Sequence, residues 1–237
     1  MNVLNLKRNV QCGVSVLVVI SLLTGCGGGS NALAAANNNA VNMTAPVLAQ
    51  PLTASEIETL LFVREEEKMA RDVYLTLYER WGDITFQNIA LRAEQTHMER
   101  VKALLDAAGV ADPVMNDAVG VFSSAQISNL YTSLVERGNQ SLVEALQVGG
   151  FIEEFDIKDL QEAIAETQLG SNQTALVQVY NNLMKGSRNH LRAFVTALVN
   201  QGITYQAQVL EQTQVDAIVN TEWERGQGAG RSKMRGW

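Results

Sequence analysis

The sequence holds only two histidines, and one of them ends the tetrapeptide Glu94-Gln95-Thr96-His97. On a helix, residues three apart share a face with Cβ atoms about 5–6 Å apart, so this carboxylate and imidazole can converge on one cation. The stripe that carries them, Ala90, Glu94, His97, Val101, Leu104 and Ala108, is otherwise apolar. A charge in such a row needs a counter-ion, because an unpaired carboxylate taken out of water costs several kcal/mol. The same anomaly precedes it. Leu60, Val63, Glu67, Ala70, Tyr74, Leu77 and Trp81 follow helical steps of three and four, and Glu67 is their single charge. Glu66 is the second choice for the inward position, and a salt bridge to Arg71 is the plainer reading of Glu67.

Two further stripes complete the set. Leu142, Leu146, Gly149, Glu153, Asp156, Leu160 and Ala163 carry two carboxylates, and Glu154 competes with Glu153 for the inward position if the helix restarts after Gly149 and Gly150. Leu176, Val179 or Tyr180, Leu183, Ser187, His190, Phe194 and Ala197 bring in the other histidine. Glu67, Glu94, His97, Glu153 or Glu154, Asp156 and His190 together supply about six oxygen and nitrogen ligands, a donor set suited to two iron ions, or to manganese, rather than to one zinc. Tyr74, two turns beyond Glu67, either packs in the core or supports a ligand.

The elements that must position these residues are helical. Start and stop signals divide residues 52–218 into a helix capped by Ser55 and Glu58 and ending at Trp81, and a second from Thr85 to Gly109. A shorter helix runs from a cap at Ser123 with Gln126 to Gly138, and long ones from Ser141 with Glu144 to Gly170 and from Thr174 to Gln201. The interval from Gly109 to Ser141 far exceeds the roughly 2–8 residues of a helical hairpin turn. Two hairpins joined by one long crossover, with a short extra helix inside it, give an all-α fold of the ferritin-like four-helix bundle type.

Composition narrows the chemistry. The formal charge is −7 and no basic run offers a phosphate track, which argues against nucleic acid as a partner. Both cysteines, Cys12 and Cys26, lie near the N-terminus, so the helical part has no thiolate for metal or catalysis. No phosphate loop, nucleophile triad or nucleotide fingerprint is visible.

Residues 1–25 read as a lipoprotein signal: Lys7 and Arg8, the apolar run Gly13 to Leu23, and Leu23-Thr24-Gly25-Cys26, which resembles a bacterial lipobox that would place lipid on Cys26. An ordinary secretory signal cut near Ala34 to Ala36 is the alternative. Residues 26–51 have the composition of a flexible tether averaging roughly 25–30 Å end to end, and 219–237 that of a loose basic tail. The expectation is a periplasm-facing bacterial envelope protein that touches the membrane through its lipid.

Four segments carry a family resemblance: Arg64-Glu65-Glu66-Glu67-Lys68-Met69-Ala70-Arg71-Asp72-Val73-Tyr74, Glu94-x-x-His97, Ile152-Glu153-Glu154-Phe155-Asp156-Ile157, and Gly186-Ser187-Arg188-Asn189-His190-Leu191-Arg192. From Leu52 to Asp216 the chain resembles the ferritin-like family catalogued as domain of unknown function 2202. The wider ferritin and rubrerythrin superfamily holds two irons that react with dioxygen or peroxide. The resemblance implies metal ligation by Glu67, Glu94, His97, Glu153 or Glu154, and His190. Ser187 stands where the superfamily has a glutamate, and Asp156 is the candidate replacement.

The leading expectation is therefore a lipid-anchored, metal-binding protein that oxidises Fe(II) or reduces peroxide. With no reductase module, turnover would draw on an external electron donor. Homo-oligomers are compatible with it, whereas a closed storage cage fits poorly with an anchor on every subunit. The competing expectation is a non-catalytic helical envelope protein, without cofactor, whose Glu67, Glu94, Glu153 and Asp156 are neutralised by Arg71, Arg92, Arg188 or Arg192.

Overall fold

The computed structural model describes residues 46–171 and 173–225; Cys26, the lipobox and the rest of the signal segment lie outside them. The described residues are all-α, with no strand among them. α1 spans Ala54–Trp81, α2 Ile84–Asn88, α3 Gln95–Ala108, α4 Ala125–Gly138, α5 Leu142–Leu169, α6 Thr174–Asn200 and α7 Gln212–Val219. Between α2 and α3 the chain stays helical but widens into a π turn, Ile89–Glu94.

Several boundaries follow from capping chemistry. The box that opens α1 is Thr53 with Glu56, two residues earlier than the expected Ser55 with Glu58. The Thr53 side chain takes the Glu56 amide while the Glu56 carboxylate takes the Thr53 amide at 2.8 Å. Ser124, not Ser123, caps α4, because Ser123 Oγ is drawn to the Pro113 carbonyl. Ser141 does cap α5, through the Glu144 amide at 3.0 Å. α1 and α3 both end on glycines in the left-handed region, Gly82 at φ 69° and Gly109 at φ 67°.

α1 packs on α3 and α5 packs on α6, with α1–α5 and α3–α6 contacts between the pairs. The buried apolar residues fall into two cores. One gathers Tyr74, Phe86, Ala90, Leu146, Ile152 and Phe194. The other gathers Leu60, Val63, Leu104, Leu160, Tyr180 and Leu183. Along α1 and α6 the sequence passes from the second core to the first, and along α5 and the stretch from the π turn into α3 from the first to the second. α3 and α5 therefore run in the same sense, and the connection between them, residues 109–141 with α4 inside, must return along the molecule.

α5 is unbroken through Gly149 and Gly150, contrary to a restart there. These glycines permit close approach instead: an added Cβ would lie 2.5 Å from the Phe194 ring at Gly149 and 2.5 Å from Tyr205 Oη at Gly150.

Both ends of the domain extend further than the sequence suggested. The last residues assigned to the tether are docked, with the Ala49 amide on Gln173 Oε1 at 3.1 Å and Gln173 Nε2 on the Gln50 carbonyl at 2.5 Å. At the other end, Glu224 accepts from Arg188 Nε at 2.7 Å and Arg192 Nη2 at 3.2 Å, so residues assigned to the loose tail are held against α6 up to that point.

Candidate metal centre

On each of the four long helical stretches, the acidic and histidine positions fall between the two apolar cores. Glu67 on α1, Glu94 and His97 at the start of α3, Glu153 and Asp156 on α5, and Ser187 and His190 on α6 are all buried there. Sequence spacing anticipated this layer because each residue replaces an apolar one in a regular stripe.

The geometry is built around Glu94. Its Oε2 lies 3.1 Å from His97 Nδ1 and its Oε1 lies 3.0 Å from His190 Nδ1. His97 Nδ1 is also 3.1 Å from Glu67 Oε2, and His190 Nδ1 is 3.3 Å from Glu153 Oε2. The result is two triads, Glu67–Glu94–His97 and Glu94–Glu153–His190, that share one carboxylate; within each, the ligand atoms lie within 4.8 Å of one another. The imidazoles stand with ring centres 5.6 Å apart.

Around the triads, Tyr74 Oη donates to Glu153 Oε1 at 2.5 Å and Ser187 Oγ donates to Asp156 Oδ2. The Tyr74 ring also packs in the core, 5.2 Å from that of Phe194. Gly186 makes room for the opposite imidazole, since a Cβ there would fall on His97 Nε2. The π turn ends on Glu94: the Gln95 amide donates to the Ala90 carbonyl five residues back, which changes the helical phase just ahead of the shared ligand.

The electrostatics show what such a cluster wants. Burial pushes the Glu67 carboxyl well above its usual range, with Asp156 and Glu94 adding to the shift and His97 opposing it. Burial likewise lifts Asp156 to about 7, and it raises Glu153. At Glu94 burial acts upward too, but the two imidazoles outweigh it and hold this group below the normal carboxylate range. Burial alone would lower both histidines. The facing carboxylates win, raising His97 well above its ordinary value and His190 to about 10. Without a metal ion, then, the layer gathers protons to offset its excess of acid.

Protons do not complete it. Glu67 Oε1 and Asp156 Oδ1 are buried without a hydrogen-bond partner, although partnerless buried polar atoms are rare and costly, while Glu94 Oε1 and His190 Nδ1 meet only each other's charge at 3.0 Å, outside hydrogen-bond geometry. Oxygen and imidazole nitrogen atoms converging in a site enclosed by apolar residues fit divalent first-row ions. The residues present thus suit a metal.

Two expectations need correction. Glu154 does not join the cluster. It points to the loop after α6, where its oxygens accept from Tyr205 Oη at 2.5 Å and from the amides of Gln208, Val209 and Leu210 at 3.0, 2.7 and 2.7 Å. A carboxylate so fully engaged has no open position for an ion. The arginines also lie elsewhere. Arg71 pairs with Asp72 and Asp117, Arg188 and Arg192 pair with Glu224, and Arg92 is exposed.

Sequence reading also missed a second ionic network, which joins α1 to the 109–124 connection. Arg64 holds Asp112 through two bonds of 3.0 and 2.9 Å, Lys68 holds Asp72 at 2.5 Å and the Ala118 carbonyl at 2.8 Å, and Glu65 accepts from the Ser123 and Ser124 amides at the start of α4. The density of charge from Arg64 to Asp72, too high for one solvated face, was the available signal.

The family described as Uncharacterized protein domain (DUF2202) matches residues 56–222, and the chain belongs to that family. Uncharacterized protein MJ0754 of Methanocaldococcus jannaschii is 49% identical over 177 residues, which are 75% of this chain and 93% of that protein. The crystal structure of hypothetical protein MJ0754 from Methanococcus jannaschii DSM 2661 is similar with a TM-score of 0.70 at 48% identity, covering 74% of this chain and 97% of that one.

Proposed function

We propose that this DUF2202 protein is a lipid-anchored, ferritin-like metal-binding protein whose buried layer holds two ions, iron or manganese, and that it oxidises Fe(II) or reduces peroxide. One observation carries the reading: two carboxylate–histidine triads, one per ion, share Glu94 in a site where Glu67 Oε1 and Asp156 Oδ1 are buried without a hydrogen-bond partner. The shared sense of α3 and α5 supports the ferritin-like bundle, since only a crossover connection can return the chain between them. The anchor rests on the lipobox alone and would place the domain on the periplasmic face of a bacterial membrane.

A bound pair of redox-active ions would supply electrons to dioxygen or peroxide. The chain's own residues set the conditions. Glu94 presents one oxygen to each triad, and His97 and His190 offer Nδ1 from opposite sides. Asp156, with one buried oxygen unpartnered, supplies a carboxylate from α5 where α6 carries Ser187. The flanking apolar cores exclude water, which strengthens every charge interaction between them.

The competing envelope-protein reading requires arginines on these carboxylates, and Arg71, Arg188 and Arg192 are committed elsewhere. The test is metal content. Chain loaded with Fe(II) or Mn(II) without oxygen, then freed of loose metal, should carry two ions, and His97→Ala and His190→Ala should each carry fewer. Near-zero metal in the unmutated protein rejects the proposal.

A further inference from the structure

The four carboxylates of the layer are not held alike. On α5, each gives one oxygen to a hydroxyl: Glu153 Oε1 to Tyr74 and Asp156 Oδ2 to Ser187. Neither hydroxyl is exposed, because Tyr74 sits among Phe86 and Phe194 and Ser187 Oγ also reaches the Leu183 carbonyl at 3.1 Å. Glu153 is therefore fixed at one oxygen while its Oε2 faces His190. On α1 the situation differs. Glu67 Oε2 is hydrogen-bonded to His97 Nδ1 at 3.1 Å, but its Oε1 has no hydrogen-bond partner, so no hydroxyl or amide holds the second oxygen of this carboxylate.

Ligands locked by surrounding groups bind more tightly than ligands that must be ordered on binding, and hydroxyl or amide partners of metal ligands commonly contribute 10- to 100-fold in affinity. From this asymmetry we infer that Tyr74 is a positioning residue that makes the two metal positions unequal. The Glu94–Glu153–His190 position is preorganised and fills first. The Glu67–Glu94–His97 position fills second and exchanges its ion faster, because no group holds the second oxygen of Glu67. The inference rests on the proposed function and deepens it by assigning an order and a division of labour: a resident ion beside His190 and an exchangeable one beside His97.

Mn(II) titration of the full chain tests this, followed by calorimetry and by electron paramagnetic resonance. Two binding steps should appear. The first equivalent should give the spectrum of an isolated ion and the second that of a coupled pair. His190→Ala should remove the tight step and His97→Ala the weak one. Tyr74→Phe keeps the ring between Phe86 and Phe194, so the fold survives. It should weaken the tight step about 10- to 100-fold and leave the weak step in place. Two equal steps, a coupled spectrum from the first addition, or a Tyr74→Phe chain with both steps unchanged would overturn this inference while leaving the metal site standing. Absence of any Mn(II) binding would overturn the proposed function and this inference with it.

Discussion

α1 contributes to two buried ionic networks on adjoining faces. Toward the 109–124 connection, Asp72 receives Arg71 Nε and Nη2 at 2.9 and 2.8 Å, Lys68 at 2.5 Å and the Gly120 amide at 3.0 Å, and both of its oxygens are used. Toward the bundle interior, Glu67 has one partner at one oxygen and none at the other. Both carboxylates are almost wholly out of water, at 0% and 2% exposure. In the first network protein groups alone satisfy Asp72 and fasten a long connection; in the second a buried oxygen of Glu67 is left without a donor. Glu153 and Glu154 point apart on one turn of α5, with Glu154 fully engaged by a loop and Glu153 held by Tyr74 and facing His190. Burial of charge does not by itself mark a functional site; what sets the second network apart is that its acids gather around two histidines with no Lys or Arg among them.

The two networks should respond oppositely to mutation. The largest effect belongs to the fastening network. Asp72→Ala strands Lys68 and Arg71 in a buried position and should cost about 3–5 kcal/mol in chemical denaturation, with metal per folded chain unchanged. Glu94→Ala should do the reverse, lowering metal content from two ions toward none while leaving the metal-free chain folded. A Glu94→Ala chain that keeps both ions would break the comparison at its centre.

A smaller effect comes with pH. Asp156 carries its proton in the folded state up to about pH 7 and His190 up to about pH 10, both above their ordinary values of 3.8 and 6.5. Each contribution is complete below the ordinary value and is lost as pH rises through the folded one. Thermal unfolding of the metal-free chain should therefore show declining stability from about pH 4 to pH 10, and bound metal, by replacing those protons, should flatten the decline and release protons on binding. The smallest effect is at Gly186. Alanine there favours the helix by about 1 kcal/mol but drives a methyl group onto His97. Gly186→Ala should leave unfolding close to that of the parent while weakening metal binding at the His97 position.

The buried acid–histidine layer was legible because helical periodicity is strict: a charged residue in an apolar row stands out whatever the tertiary arrangement, and Glu67, Glu94, His97, Glu153, Asp156 and His190 all stand out that way. The choice between Glu153 and Glu154 turned on whether α5 broke at Gly149 and Gly150. Their purpose, close contact with Phe194 and Tyr205, involves residues far away in the sequence. The π turn left no trace, since Ile89-Ala90-Leu91-Arg92-Ala93-Glu94 is ordinary helical sequence and only packing decides where the extra residue goes. α7 and the docking of Glu224 escaped because short segments held by long-range hydrogen bonds carry little pattern of their own. Counting faces also underestimated α1. It is buried continuously from Val63 to Tyr74, because the 109–124 connection covers the side that a two-layer picture leaves to solvent.

The most direct test is the Mössbauer spectrum of the chain loaded with iron-57 and exposed to oxygen. Two triads sharing Glu94 predict one magnetically coupled pair of ferric ions in each chain, lost in Glu94→Ala. Isolated ferric ions alone, or no protein-bound iron, would contradict the account.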